Sequence, residues 1–171
     1  KYSATPGLGT NTCSVCPAKS SSAAGSDAKT DCVCDKGFTG ADGEPCEACL
    51  AGTYKTSTGS GQCGACKVDT YSMEVGATRA DTCENCPLNS KAPEGSNEDT
   101  DCVCNAGYTG DNGQVCGACD AGTYKTSTGS ASCDSCDANT YPTTVAADDP
   151  DTCLQCTGDS YSVSGSDLAG D

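Results

Sequence analysis

Nine cysteine pairs, their members two or three positions apart, punctuate the chain: Cys13/Cys16, Cys32/Cys34, Cys46/Cys49, Cys63/Cys66, Cys83/Cys86, Cys102/Cys104, Cys116/Cys119, Cys133/Cys136 and Cys153/Cys156. The gaps between consecutive pairs run 15, 11, 13, 16 and then 15, 11, 13, 16 again, so a shift of 70 carries Cys13 through Cys86 onto Cys83 through Cys156. Self-similarity at a fixed period marks a repeat architecture. It divides the chain into a partial repeat at 1–31, matching the C-terminal part of a 70-residue unit, and two full copies at 32–101 and 102–171.

Little else could hold such a chain together. Leu, Ile, Val and Phe together number 14 of 171 residues, and Trp is absent. That is the composition of a disordered protein, and only covalent cross-links can compensate for it. Eighteen cysteines joined as disulfides require an oxidising compartment, which places the chain outside the cell, secreted or at the cell surface. The sequence holds no run of about 18 apolar residues, so this segment is not expected to insert into a membrane. A net charge of −15 argues against nucleic acid and anionic lipid as partners, since both attract a Lys/Arg footprint.

The stretches between the pairs share a grammar: two residues, a small residue with Tyr, then a turn glycine. The decamer AGTYKTSTGS stands at 51–60 and again, unchanged, at 121–130. Asp-Gly, Asn-Gly and Thr-Gly steps favour tight turns, and no segment carries a helical period. The expected fold is therefore small and disulfide-rich: tandem cysteine-rich modules of short β-hairpins and turns, forming an elongated rod with almost no helix. Tyr54, Tyr71, Tyr124, Tyr141 and Tyr161 are each expected to pack a ring against a neighbouring disulfide.

The motif CxCxxG(F/Y)xG…CxxCxxGTYK…GxxxCxxC resembles the ephrin-receptor-like cysteine-rich repeat, related to EGF-like and tumour-necrosis-factor-receptor modules and found in tandem arrays in surface proteins of protists and algae. The EGF-like signature falls on Cys32, Cys34, Gly37, Phe38, Gly40 and Cys46, and again on Cys102, Cys104, Gly107, Tyr108, Gly110 and Cys116. This resemblance implies disulfides Cys34–Cys46 and Cys104–Cys116. The acidic calcium signature of some EGF modules is not evident, so it implies no metal site. From the implied pair, the simplest continuation is a ladder in which each pair sends one bond back and one forward: Cys16–Cys32, Cys49–Cys63, Cys66–Cys83, Cys86–Cys102, Cys119–Cys133 and Cys136–Cys153. Cys13 and Cys156 remain over as inter-module or inter-subunit cysteines. Receptor modules suggest another arrangement, Cys46–Cys63 with Cys49–Cys66, and cysteine spacing does not decide between the two.

Other chemistries fit poorly. Two successive CxxC pairs, as at Cys46/Cys49 and Cys63/Cys66, have the spacing of a four-cysteine zinc site, but zinc needs thiolates in a reducing compartment and the interleaved CxC pairs break the ribbon pattern. No βαβ pattern surrounds any CxxC, which removes the thioredoxin-type reading. The chain has no histidine and no motif pairing a nucleophile with a base, so neither enzymatic activity nor a cofactor is expected. Glu98, Asp99 and Asp101, like Asp148, Asp149 and Asp151, sit beside Cys or Pro in turns and read as solvated loops. None of the seven asparagines opens an N-x-Ser/Thr sequon, although Asn11 opens the cysteine variant NTC. Serines and threonines number 19 and 21, and their density in the decamers nominates Thr56, Ser57 and Thr58, with Thr126, Ser127 and Thr128, for O-linked sugar.

The expected function is that of an extracellular structural protein, a disulfide-stapled rod that forms or belongs to a surface fibril. The alternative is a ligand-binding or spacer ectodomain of a receptor, adhesin or protist surface antigen. The repeat also calls for a cysteine at position 172 and for a CxxC before residue 1. The expected partner is accordingly another stretch of the same array, joined head to tail or continuous in one longer polypeptide.

Overall fold

A computed structural model describes residues 1–2, 13–142, 144–157 and 161–167. It is a succession of eight two-stranded antiparallel hairpins, each closed by its own disulfide. The first four pair β1 (Ser20–Ser21) with β2 (Val33–Cys34), β3 (Phe38–Thr39) with β4 (Glu47–Ala48), β5 (Thr53–Tyr54) with β6 (Gly64–Ala65), and β7 (Thr70–Tyr71) with β8 (Glu84–Asn85). The last four pair β9 (Ser90–Lys91) with β10 (Val103–Cys104), β11 (Tyr108–Thr109) with β12 (Gly117–Ala118), β13 (Thr123–Tyr124) with β14 (Asp134–Ser135), and β15 (Thr140–Tyr141) with β16 (Leu154–Gln155). Small disulfide-rich modules of short hairpins are thus the fold, as the composition demanded. The described residues contain no α-helix.

One local rule builds every hairpin. The first strand begins after a tight turn in which an N–H donates to the carbonyl three residues back, as from Ser20 to Pro17, Thr53 to Leu50 and Thr140 to Asp137. The third turn residue has positive φ, and Gly37, Gly52, Gly107 and Gly122 occupy that position in four hairpins while Lys19, Asp69, Asn89 and Asn139 occupy it in the others. Asp and Asn tolerate this region better than most side chains. The disulfide joins the residue four before the first strand to the residue just before the second, with Cα atoms 5.5 to 5.8 Å apart, within the comfortable range for such a bond. The longer loops, those that end at Cys32, Cys83, Cys102 and Cys153, absorb their extra length in one 3-10 turn each, at Lys29–Asp31, Ala80–Thr82, Asp99–Asp101 and Pro150–Thr152, leading directly into that cysteine.

Among the described residues the buried apolar set is ten cysteines with Ala77, Ala92, Ala147 and Pro142. The long aliphatic side chains lie outside it: Leu50 is 74% and Leu88 70% exposed. Cystine sulfur therefore takes the place that Leu and Ile hold in an ordinary domain. Two compact units result, one made of residues 1–84 with 94–98, the other of 85–93 with 99–171. Within each, successive hairpins stack through the backbone. In the first unit Gly37 donates to the Lys55 carbonyl, Gly52 to Ser72 and Lys55 to Ala77, at 3.0, 2.7 and 3.0 Å. In the second, Gly107 donates to Lys125 and Lys125 to Ala147, at 2.8 and 3.0 Å.

Candidate functional site

The repeated decamer is the most sharply specified surface feature of both units. Gly52 and Gly122 open it at positive φ, 78° and 91°. Thr53 and Thr123 begin the strand, and their hydroxyls donate to the Leu50 and Asp120 carbonyls at 2.7 and 2.8 Å, reinforcing the turn already closed by their own N–H groups.

Lys55 and Lys125 follow, and both are buried, at 5% and 1% exposure. The Lys55 ammonium donates to the Phe38 carbonyl at 2.7 Å and to the Gly59 carbonyl, while Lys125 donates to the Tyr108 carbonyl at 2.6 Å and to that of Gly129. Gly59 and Gly129 in turn donate their N–H groups to the Cys34 and Cys104 carbonyls, both at 2.8 Å. A cage of backbone carbonyls from the preceding hairpin and the loop's own end thus receives each ammonium, and the loop is pinned at both ends. Burial holds the Lys125 ammonium below the ordinary lysine range. The folded state therefore binds that proton less tightly than the unfolded chain, and this group's contribution to stability rises with pH toward the ordinary lysine range.

Between the pinned ends, Thr56, Ser57 and Thr58 stand exposed, as do Thr126, Ser127 and Thr128. The structure gives these six hydroxyls no packing role. The lysines escape a reading of the sequence because lysine ordinarily lies at the surface. Their one signal is that Lys55 and Lys125 are the cations retained in a decamer kept unchanged by an acidic chain.

The remaining sites separate clearly. Cys16–Cys32, Cys34–Cys46, Cys49–Cys63, Cys66–Cys83, Cys86–Cys102, Cys104–Cys116, Cys119–Cys133 and Cys136–Cys153 are bonded. Cys13, exposed, and Cys156, half-buried, are free thiols. Alkylation of the isolated monomeric chain without reductant should accordingly label Cys13 and Cys156 and no other cysteine, read by peptide mass spectrometry; label at Cys46, Cys49, Cys63 or Cys66 would refute this pairing.

Asp99 accepts from the Thr100 N–H at 2.7 Å and Asp149 from the Asp151 N–H at 2.9 Å, so these carboxylates serve turns. Among the described residues no cluster of three His, Cys, Asp or Glu side chains could hold a metal ion. Tyr54 shares a hollow of about 180 Å³ with Cys83, a half-cystine of the Cys66–Cys83 bridge. Tyr161 corrects the expectation made for the tyrosines, because the residue is 75% exposed. Tyr54, Tyr71, Tyr124 and Tyr141 each lie in the first strand of a hairpin and face a second, whereas Tyr161 lies in no paired strand among the described residues.

The family model described as tyrosine-protein kinase ephrin type A/B receptor-like matches residues 37–83 and again 107–153. Each match runs from the turn glycine of one hairpin to the second cysteine of the bridge two hairpins on, and takes in one copy of the pinned decamer. No curated protein matches the chain.

Proposed function

The chain belongs to the ephrin-receptor-like family of cysteine-rich repeats, an extracellular ectodomain type, and from this we propose that it is a structural, non-enzymatic segment of a surface rod or fibril. The observation that carries the reading is the stacking rule. Every hairpin has its own disulfide, and within each unit hairpins bond to near neighbours through backbone groups. Such arrays are quasi-one-dimensional and extend by adding modules without a new core. The free thiols Cys13 and Cys156 are available to link successive stretches, and a contact of that head-to-tail kind propagates instead of closing.

The exposed Thr56, Ser57 and Thr58, with Thr126, Ser127 and Thr128, are the O-glycosylation sites of this reading. Nothing in the packing requires their identity between copies, whereas a glycosyltransferase reads an exposed hydroxyl loop held in one shape. Native material should show regular filaments in negative stain and peptide masses above the bare sequence at both decamers. Bare masses would remove the sugar, and globular monomers would remove the fibril.

A second reading rests on the family match itself: a spacer within a receptor ectodomain. Attachment of the native chain to a membrane-anchored remainder, without filaments, would decide for it.

A further inference from the structure

One hollow in the first unit is chemically unlike its surroundings. It measures about 160 Å³ and is lined by Tyr71, Ser72, Met73, Glu74, Thr82 and Glu84. Ser72, 2% exposed, forms its floor, and the Ser72 hydroxyl accepts from the Glu74 N–H at 3.4 Å, which places Glu74 at the rim. The Tyr71 hydroxyl donates to the Glu84 carboxylate across the hairpin at 3.3 Å, setting an aromatic wall beside that carboxylate. Met73, 64% exposed, offers a flexible thioether at the edge. Among the described residues neither Glu74 nor Glu84 forms an ion pair, unlike Glu44, which meets Lys29, and Asp81, which meets Arg79.

The second copy shows what the fold needs here. At the equivalent positions, Tyr141 and Thr152 stand where Tyr71 and Thr82 do, but Pro142, Thr144 and Leu154 replace Ser72, Glu74 and Glu84. The same hairpin thus forms with the tyrosine and without either carboxylate. The carboxylates are additions to the frame, placed around an aromatic ring and an apolar thioether.

We propose that this hollow binds an alkylammonium group, the lysine side chain of a basic partner protein. The apolar stem would lie along Met73 and the Tyr71 ring, while the ammonium meets the ring's negative face and the Glu74 and Glu84 carboxylates. The field of the unit favours such a guest, because its 12 Asp and Glu face only seven Lys and Arg, one of which is the buried Lys55. Binding is weak, as suits a shallow site with exposed charges, and it falls with salt.

Met73 is the chain's one methionine, so protein carrying a labelled methionine methyl gives a single resonance at the site. The oxidised protein is titrated with n-butylammonium, N-acetyl-lysine methylamide and spermidine, with n-butanol and butyrate as controls. The expected result is a saturable shift with the three cations and none with the controls. Affinity should fall about tenfold in the Glu74→Gln/Glu84→Gln double variant, which changes only exposed side chains. Tighter binding of the lysine amide than of butylammonium assigns the site to protein lysine, and preference for spermidine assigns the same alkylammonium site to a free polyamine. An unsaturable shift, an equal response to n-butanol, or an unchanged affinity in the double variant would overturn the proposal; a wild-type methyl position in the unliganded variant shows that the hairpin still forms.

Discussion

Complete reduction with a dithiol should unfold both units, with loss of amide-exchange protection throughout and rapid proteolysis at neutral pH. The bridges close loops with sequence separations of 12 to 17. In the chain-entropy picture each contributes about 3 kcal/mol. Two or three of them therefore match the whole stability of an ordinary small domain, about 5–15 kcal/mol. Little apolar reserve offsets their loss, since among the described residues the buried apolar side chains besides cysteine are Ala77, Ala92, Ala147 and Pro142. Removing one bridge alone, as in Cys49→Ala/Cys63→Ala, should cost about 3 kcal/mol and open β5, β6 and the decamer first, because near-neighbour stacking confines the damage. Retained exchange protection after full reduction would show that the small residues and backbone hydrogen bonds suffice, and would refute this account of the fold.

The cysteine spacing made the modules legible, because each gap between pairs, such as the one from Cys34 to Cys46, leaves room for one hairpin and little else. Spacing left the pairing open, and at the CxxC pairs the strand geometry accords with the observed choice. In Cys46/Cys49 the two-residue strand β4 lies between the cysteines, and positions three apart on an extended strand face opposite ways. Cys46 then meets Cys34 behind it and Cys49 meets Cys63 ahead. The buried lysines were not legible in this way. Their cages are made by carbonyls of Phe38 and Tyr108, 17 residues upstream, which only the stacking of hairpins brings near. Tyr161 failed for a related reason: a tyrosine in the right motif is covered only when a neighbouring strand covers it.

Alanine at Gly52 or Gly122 should be among the most damaging single substitutions outside the cysteines, and Gly61→Ala, a few residues away, should be silent. A Cβ at Gly52 would lie 2.2 Å from the Gly95 carbonyl oxygen, and one at Gly122 2.1 Å from that of Gly165. Both are backbone atoms of a neighbouring turn and cannot swing aside. The positive φ of each glycine adds about 1 kcal/mol for any L side chain, and forcing a methyl into a closed contact adds about 1–3 kcal/mol. A total of about 3 kcal/mol corresponds to roughly a hundredfold change in a local opening equilibrium. The loss should appear where the contact is. In Gly52→Ala, hydrogen exchange should accelerate by about that factor at the Cys66 N–H, which donates to the Gly52 carbonyl, and at the Gly95 N–H, which donates to that of Cys66. Gly61 meets nothing within 4 Å, and Ala131 already stands at its place in the second copy. Equal exchange rates in Gly52→Ala and Gly61→Ala would mean that the close approach of the two turns does not hold the hairpins together. The expected contrast concerns one of four decamer residues held by hydrogen bonds or close packing, Gly52, Thr53, Lys55 and Gly59, whereas Thr56, Ser57 and Thr58 stand exposed between them.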